Sequence, residues 1–226
     1  PNIHYIDGPI LDVKFSSFVG MHPVPVVYGM TIGEYAGMIN GEGWLKDNVQ
    51  CKLDVIPCHS YNRSMNYILP VKPSPNLASA NAIAHYPSLC FFEPTSISIG
   101  RGTPHAFELI GQPGLTEHSY SFTPMPRTGA SNPKHEGQLC FGESLIDRPA
   151  RRDAMELKWL IKYYALCKDK EIPFFTNERF FDLLAGSSSL REQLIAGLGE
   201  TEIRASWEVD LREYDNLRKP YMLYPD

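Results

Sequence analysis

Residues 92–103 read Phe-Glu-Pro-Thr-Ser-Ile-Ser-Ile-Gly-Arg-Gly-Thr, the densest concentration of chemistry in the chain. An apolar run ends on the carboxyl of Glu93, and the guanidinium of Arg101 follows between Gly100 and Gly102. Flanking glycines let the backbone approach a ligand closely, and the planar fork of an arginine matches a carboxylate or a phosphate. The stretch therefore suits an anionic ligand. It equally suits a strand and a tight turn whose arginine pairs with a neighbouring acid, and the residues alone leave both readings open. A phosphate cradle is a third, weaker reading, because the P-loop lysine and the G-x-G-x-x-G spacing are absent and no cofactor is expected.

Composition narrows the chemistry. The 226 residues are 43% hydrophobic and 12% aromatic, enough to build a core in one large domain or two smaller ones. The formal net charge is −5 with the signs interspersed, so no basic field draws in nucleic acid or anionic lipid. No apolar stretch approaches the roughly 20 residues that cross a bilayer, so no membrane span is expected. No signal-peptide pattern opens the chain, which starts at Pro1, and its compartment has to be argued from elsewhere.

The cysteines, Cys51, Cys58, Cys90, Cys140 and Cys167, are odd in number and irregularly spaced, which excludes a full disulfide framework and shows no C-x-x-C pattern. Most read as small buried hydrophobes, with a bridge between Cys51 and Cys58 left open. Neither His4, His59, His85, His105 and His118 nor the acids fall at ligand spacings, so no metal site is expected.

The elements that must position Glu93 and Arg101 read as two units. In residues 1–115, segment 22–28 is extended, and Thr31 with Glu34 forms a capping box opening a helix to about residue 40. Ile32, Tyr35, Ala36 and Ile39 share one face of that helix. Residues 51–57 read as a strand, 71–76 as a proline-rich loop, 78–86 as a small-residue helix with Asn81 and His85 outward or facing a cleft, and 89–92 as a buried strand. Such alternation predicts an α/β domain with a largely parallel sheet.

Residues 116–226 read as a smaller α/β unit. Strands are predicted at 119–124 and 138–146, around a Gly/Ser/Asn/Pro-rich loop at 126–137 that is long enough to be mobile or ligand-facing. A helix over 155–167 turns Leu157, Leu160, Ile161 and Tyr164 inward, and another over 190–198 stops at Gly199. The last helix is capped by Thr201 and carries Ile203, Trp207, Leu211 and Tyr214 as a core stripe.

Four blocks carry a resemblance: FVGMHPVPVVYGMTIGEYAGMINGEGWL at 18–45, PSPN at 73–76, FFEPTSISIGRGTPHAFELIGQP at 91–113 and SWEVDLREYDNLRKPYMLY at 206–224. Together they resemble the NamZ family of exo-β-N-acetylmuramidases over nearly the whole chain. The resemblance implies a cofactor-independent glycoside hydrolase that removes N-acetylmuramic acid (MurNAc) from the non-reducing ends of peptidoglycan fragments, in the periplasm or outside the cell. It implies a Rossmann-like, mostly parallel domain followed by a smaller α/β domain. Residues 1–115 would be the C-terminal portion of the first, with further family acids preceding Pro1.

Glycoside cleavage uses two carboxyl groups flanking the bond. Of the acids in family-like motifs, Glu34 is already explained by its capping box, and Glu42 in Asn-Gly-Glu-Gly faces solvent or a cleft. Glu93 is the catalytic candidate, since withdrawal from water at the end of an apolar run favours a protonated, donating carboxyl. It can also serve as an acceptor for Thr95, Thr103 or the turn's backbone. The muramyl sugar carries a lactyl carboxylate, which Arg101 can grip bidentately. Asn76 can hydrogen-bond the acetamido group or ring hydroxyls, while Tyr86 and His22 can stack on a sugar face. Relative to the family pattern, Pro94, Ser96 and Ile99 replace frequent glycine, asparagine and acid, and Ile99 removes a second carboxylate from this loop. The expected partner is a muropeptide or a MurNAc-GlcNAc saccharide, with a non-catalytic carbohydrate-binding or scaffold fragment as the alternative.

Overall fold

A computed structural model describes residues 5–225. Near the start, β1 (Asp7–Ile10) pairs antiparallel with β2 (Pro25–Val27) inside the segment predicted to be extended. The capping box forms as predicted at the head of α1 (Ile32–Gly41): Glu34 N donates to Thr31 Oγ1 at 3.4 Å, and Thr31 N donates to Glu34 Oε2 at 2.7 Å. The buried face of α1 differs from the expected one. Ile32 is 85% exposed, while Glu34 and Met38 point inward, because Glu34 meets the buried Arg63 at 2.5 Å and also accepts from Leu223 N at 2.8 Å.

Residues 51–57 form irregular, largely exposed chain and no strand. Leu53 and Ile56 have no sheet to pack on, and Ile56 is 92% exposed. Cys51 and Cys58 lie exposed here as free thiols, so the bridge left open by the sequence does not form.

Ser79 caps α2 (Ala80–Leu89) by accepting from Ala82 N at 2.9 Å. The run after it is buried as expected but is a 3₁₀ turn over Cys90–Phe92, not a strand. Its aromatic rings are gripped by helix side chains: Phe92 lies 6.0 Å from Tyr163 and Phe91 lies 5.8 Å from Phe181. A short apolar run satisfies either geometry once buried on all sides.

Strands β3 (Leu109–Gln112), β4 (Tyr120–Phe122) and β5 (Cys140–Ser144) make a second sheet in the order β3-β5-β4, with both pairings antiparallel. The mixed α/β character holds, but every strand pairing among the described residues is antiparallel, and the expected parallel sheet is not formed by them. β3 and β5 pair across position 115.

Helices α3 (Leu157–Asp169), α4 (Glu178–Ala185), α5 (Ser189–Ala196), α6 (Glu200–Ala205) and α7 (Glu208–Arg218) complete the order. α3 buries Leu157, Trp159, Leu160, Tyr163 and Cys167, a stripe shifted toward Trp159 and Tyr163 from the one expected. Gly197 in the left-handed region ends α5, and Gly199 instead heads α6, where its N–H donates to Glu202 at 2.9 Å. The single last helix expected is therefore two, joined at Trp207, which is buried with Ile203 in the main core. That core runs from Leu89 and Phe92 through Ile110 and Leu145 to Tyr163 and Phe181. Tyr214 of α7 joins a second cluster with Met30 and Met38, and its hydroxyl donates to Tyr28 O at 2.8 Å.

Candidate functional site

Glu93 is delivered by the buried 3₁₀ turn, and the turn beyond it is fastened locally. Thr95 Oγ1 donates to Phe92 O at 2.8 Å and accepts from Ile97 N at 3.2 Å. Ser98 exchanges two backbone hydrogen bonds, 2.8 and 2.9 Å, with Gly111 of β3. The chain then bends so that Arg101 points back at Glu93. Gly102 sits at φ +89, and a Cβ there would fall 2.6 Å from Pro133 Cβ. The glycine is thus required by a close approach of the 126–137 loop, whose Met125 neighbour donates to Gly102 O at 2.9 Å.

Arg101 Nη1 donates to Glu93 Oε2 at 3.1 Å, and Nη2 donates to Gly129 O at 3.2 Å. Their side chains are 39% and 27% exposed, so the pair lies at a water-accessible mouth. Asn76 Nδ2 donates to the same Gly129 carbonyl at 2.7 Å. On the opposite side, Lys134 Nζ donates to the carbonyls of Phe92, Glu93 and Ile97 at 3.0, 3.3 and 2.8 Å, and His135 Nε2 donates to Ser96 O at 2.6 Å. Burial lowers the Lys134 pKa to about 8 against the opposing pull of Glu93. Glu93, Arg101, Arg127, Asn132 and Lys134 line a cleft of about 690 Å³ walled by the loop.

The structure gathers three of the expected site residues and places the others apart. Glu93 and Arg101 form the ion pair, and Asn76 reaches the same wall through Gly129. Tyr86 packs on Phe107 at 5.0 Å and remains 40% exposed; burial, then the neighbouring Cys90 and Glu93, push its hydroxyl up to about 12, with Arg101 pulling it down. His22 belongs to a different cluster, stacked on Trp44 at 5.6 Å with its Nδ1 2.8 Å from the Tyr35 hydroxyl. Glu34 is structural, and Glu42 accepts from the Tyr221 hydroxyl at 2.6 Å. His85, expected at a surface or cleft, is 1% exposed, bonded to Arg148 O at 2.9 Å.

Sequence reasoning did not single out Arg127, Lys134 or His135. The signal available was the 126–137 loop itself, read as mobile or ligand-facing. Among the described residues, no group of three or more His, Cys, Asp or Glu is placed to hold a metal ion. No described helix is long and apolar enough to cross a membrane.

Two family models match the chain: the N-terminal model of exo-β-N-acetylmuramidase NamZ covers residues 1–81, and the C-terminal model covers residues 84–224. The peptidoglycan β-N-acetylmuramidase NamZ of Bacillus subtilis (strain 168) is 33% identical over 244 aligned residues, which span 98% of this chain and 56% of that protein. A crystal structure of a DUF1343 family protein from Bacteroides fragilis matches with a TM-score of 0.93 at 42% identity, covering 100% of this chain and 64% of that one. A second DUF1343 family protein from the same organism shares the fold at a TM-score of 0.76 and 22% identity, over 97% of this chain and 62% of the other. The chain thus spans 56% of the length of the Bacillus relative and 64% of the first Bacteroides structure.

Proposed function

The chain belongs to the NamZ family of exo-β-N-acetylmuramidases, and from that membership we propose that it acts on peptidoglycan fragments, releasing N-acetylmuramic acid from their non-reducing ends. The observation that carries this reading is the Glu93–Arg101 pair at the mouth of a 690 Å³ cleft, a volume suited to a sugar-sized ligand. Among the described lining residues Arg101, Arg127 and Lys134 outnumber the single acid, so the cleft favours an anionic saccharide over a neutral one. Glu93 is the carboxyl that exchanges a proton at the glycosidic bond, by donation to the leaving oxygen or removal from the attacking water. Arg101 and Asn76 present N–H groups to the sugar's polar edge, and the exposed part of the Tyr86 ring offers a stacking face.

Peptidoglycan lies outside the cytoplasmic membrane, which supports a periplasmic or extracellular location. The two family matches, meeting between residues 81 and 84, support a division of the chain into two parts; the Rossmann-like, mostly parallel character of the first rests on the sequence resemblance alone.

A second reading, saccharide binding without cleavage, is favoured by one observation: among the described residues Glu93 is the only acid lining the cleft, whereas hydrolysis uses two. Incubating the chain with a MurNAc-GlcNAc disaccharide and quantifying free N-acetylmuramic acid by mass spectrometry tests both. Release that falls by about 100-fold or more in Glu93→Gln supports hydrolysis. Binding without release supports the second reading, and neither binding nor release overturns both.

A further inference from the structure

We propose that Arg127 selects the muramyl sugar by binding its carboxylate, an assignment that rests on the saccharide reading above. Among the described residues three cations line the cleft, but two are already committed. Arg101 divides its guanidinium between Glu93 and the Gly129 carbonyl, and Lys134 spends its ammonium on three main-chain carbonyls. Arg127 lines the same cleft, and among the described residues its guanidinium takes part in no hydrogen bond or ion pair. A planar fork with its donors unspent is what bidentate capture of a carboxylate requires.

The loop presents that fork from a fixed base. Arg127 N donates to Ala130 O at 3.0 Å and Ala130 N returns a bond to Arg127 O at 2.9 Å, closing a tight turn. Gly129 supplies the turn's positive φ of +84, and its carbonyl is held from two sides by Asn76 and Arg101. Farther along, Lys134 and His135 fasten the loop to the turn that carries Glu93. Ordering therefore falls mainly on the Arg127 side chain when ligand binds. A carboxylate arriving there meets a Glu93 charge already balanced by Arg101, so repulsion is small. Arg101 and Asn76 thereby gain a second role, holding the wall from which Arg127 reaches.

MurNAc and N-acetylglucosamine differ by the lactyl ether, so their affinity ratio reports the contacts of that group, and the change in the ratio on substituting Arg127 isolates the carboxylate contact. Calorimetric titration of the chain with each sugar is expected to show preference for MurNAc. Arg127→Gln is expected to lose on the order of tenfold in MurNAc affinity while leaving N-acetylglucosamine affinity unchanged. Arg127→Lys, which keeps the charge without the fork, should recover part of the loss. Arg101→Gln should weaken both sugars, since it releases the wall. An Arg127→Gln protein with an unaltered unfolding midpoint and the wild-type sugar preference overturns the inference and leaves the saccharide reading standing. A wild-type chain that binds neither sugar overturns that reading and the inference with it.

Discussion

Replacing Lys134 by methionine removes the ammonium that gathers the turn around Glu93 while keeping the side chain's apolar length. Of the three carbonyls it serves, Phe92 O also accepts from Thr95, whereas among the described residues no other donor reaches Glu93 O or Ile97 O. Burial moves the Lys134 pKa from 10.5 to about 8, and at about 1.4 kcal/mol per unit the charged amine costs the folded state about 3 kcal/mol at neutral pH. Methionine relieves that cost but orphans two carbonyls at about 1–3 kcal/mol each, so the two effects nearly offset near pH 7.

The pH dependence separates them. The folded pKa lies below the unfolded one, so between about 8 and 10.5 the unfolded chain holds the extra proton and wild-type stability rises with pH. At a pH of about 9.5 the wild type has regained about 2 kcal/mol that the variant never had to recover. Urea unfolding of both proteins at the two pH values, followed by tryptophan fluorescence, measures this difference directly. The expected result is a gap in favour of wild type that widens by about 2 kcal/mol on the alkaline side. Equal gaps at both pH values would refute the buried, charged clasp.

The Glu34–Arg63 pair is nearly inaccessible, with side chains 0% and 7% exposed, so Arg63→Met should cost about 3–5 kcal/mol in urea unfolding by stranding a buried carboxylate. Burial works to raise the Glu34 pKa, but Arg63 and the N–H groups of Thr31 and Leu223 outweigh it and hold the carboxyl below its ordinary 4.5; wild-type stability should fall with pH below that value, and more shallowly in the variant. Gly129→Ala places a Cβ 2.8 Å from Pro75 Cβ at a φ of +84, which should cost about 1–3 kcal/mol and weaken MurNAc binding in calorimetry. Wild-type affinity in that variant would show that the turn does not position the ligand contact.

What was legible in the sequence was local. The Thr31–Glu34 box spans one helical turn and formed as read, and its occupation of Glu34 disposes of one catalytic candidate on structural grounds. The Glu93 and Arg101 motif was legible as a unit, although the residues could not choose between a pair and a ligand grip; the structure makes the pair. Residues 89–92 were misread because burial on all sides erases the period that separates strand from helix, and 51–57 because apolar residues there have no partner surface. The supports of the site were hidden for another reason. Lys134 reaches Glu93 O across 41 positions and Asn76 reaches Gly129 across 53, and composition marks a loop without saying which of its side chains turn back.

The carbonyl of Gly129 is shared by Asn76, which lies within the N-terminal family match, and Arg101, which lies within the C-terminal one. The seam between the matches at residues 81–84 is therefore a poor place for recombination. A chimera joining halves from two relatives there would inherit the amide from one parent and the guanidinium with its acceptor from the other. Such hybrids should assemble well only when both parents agree on that triplet.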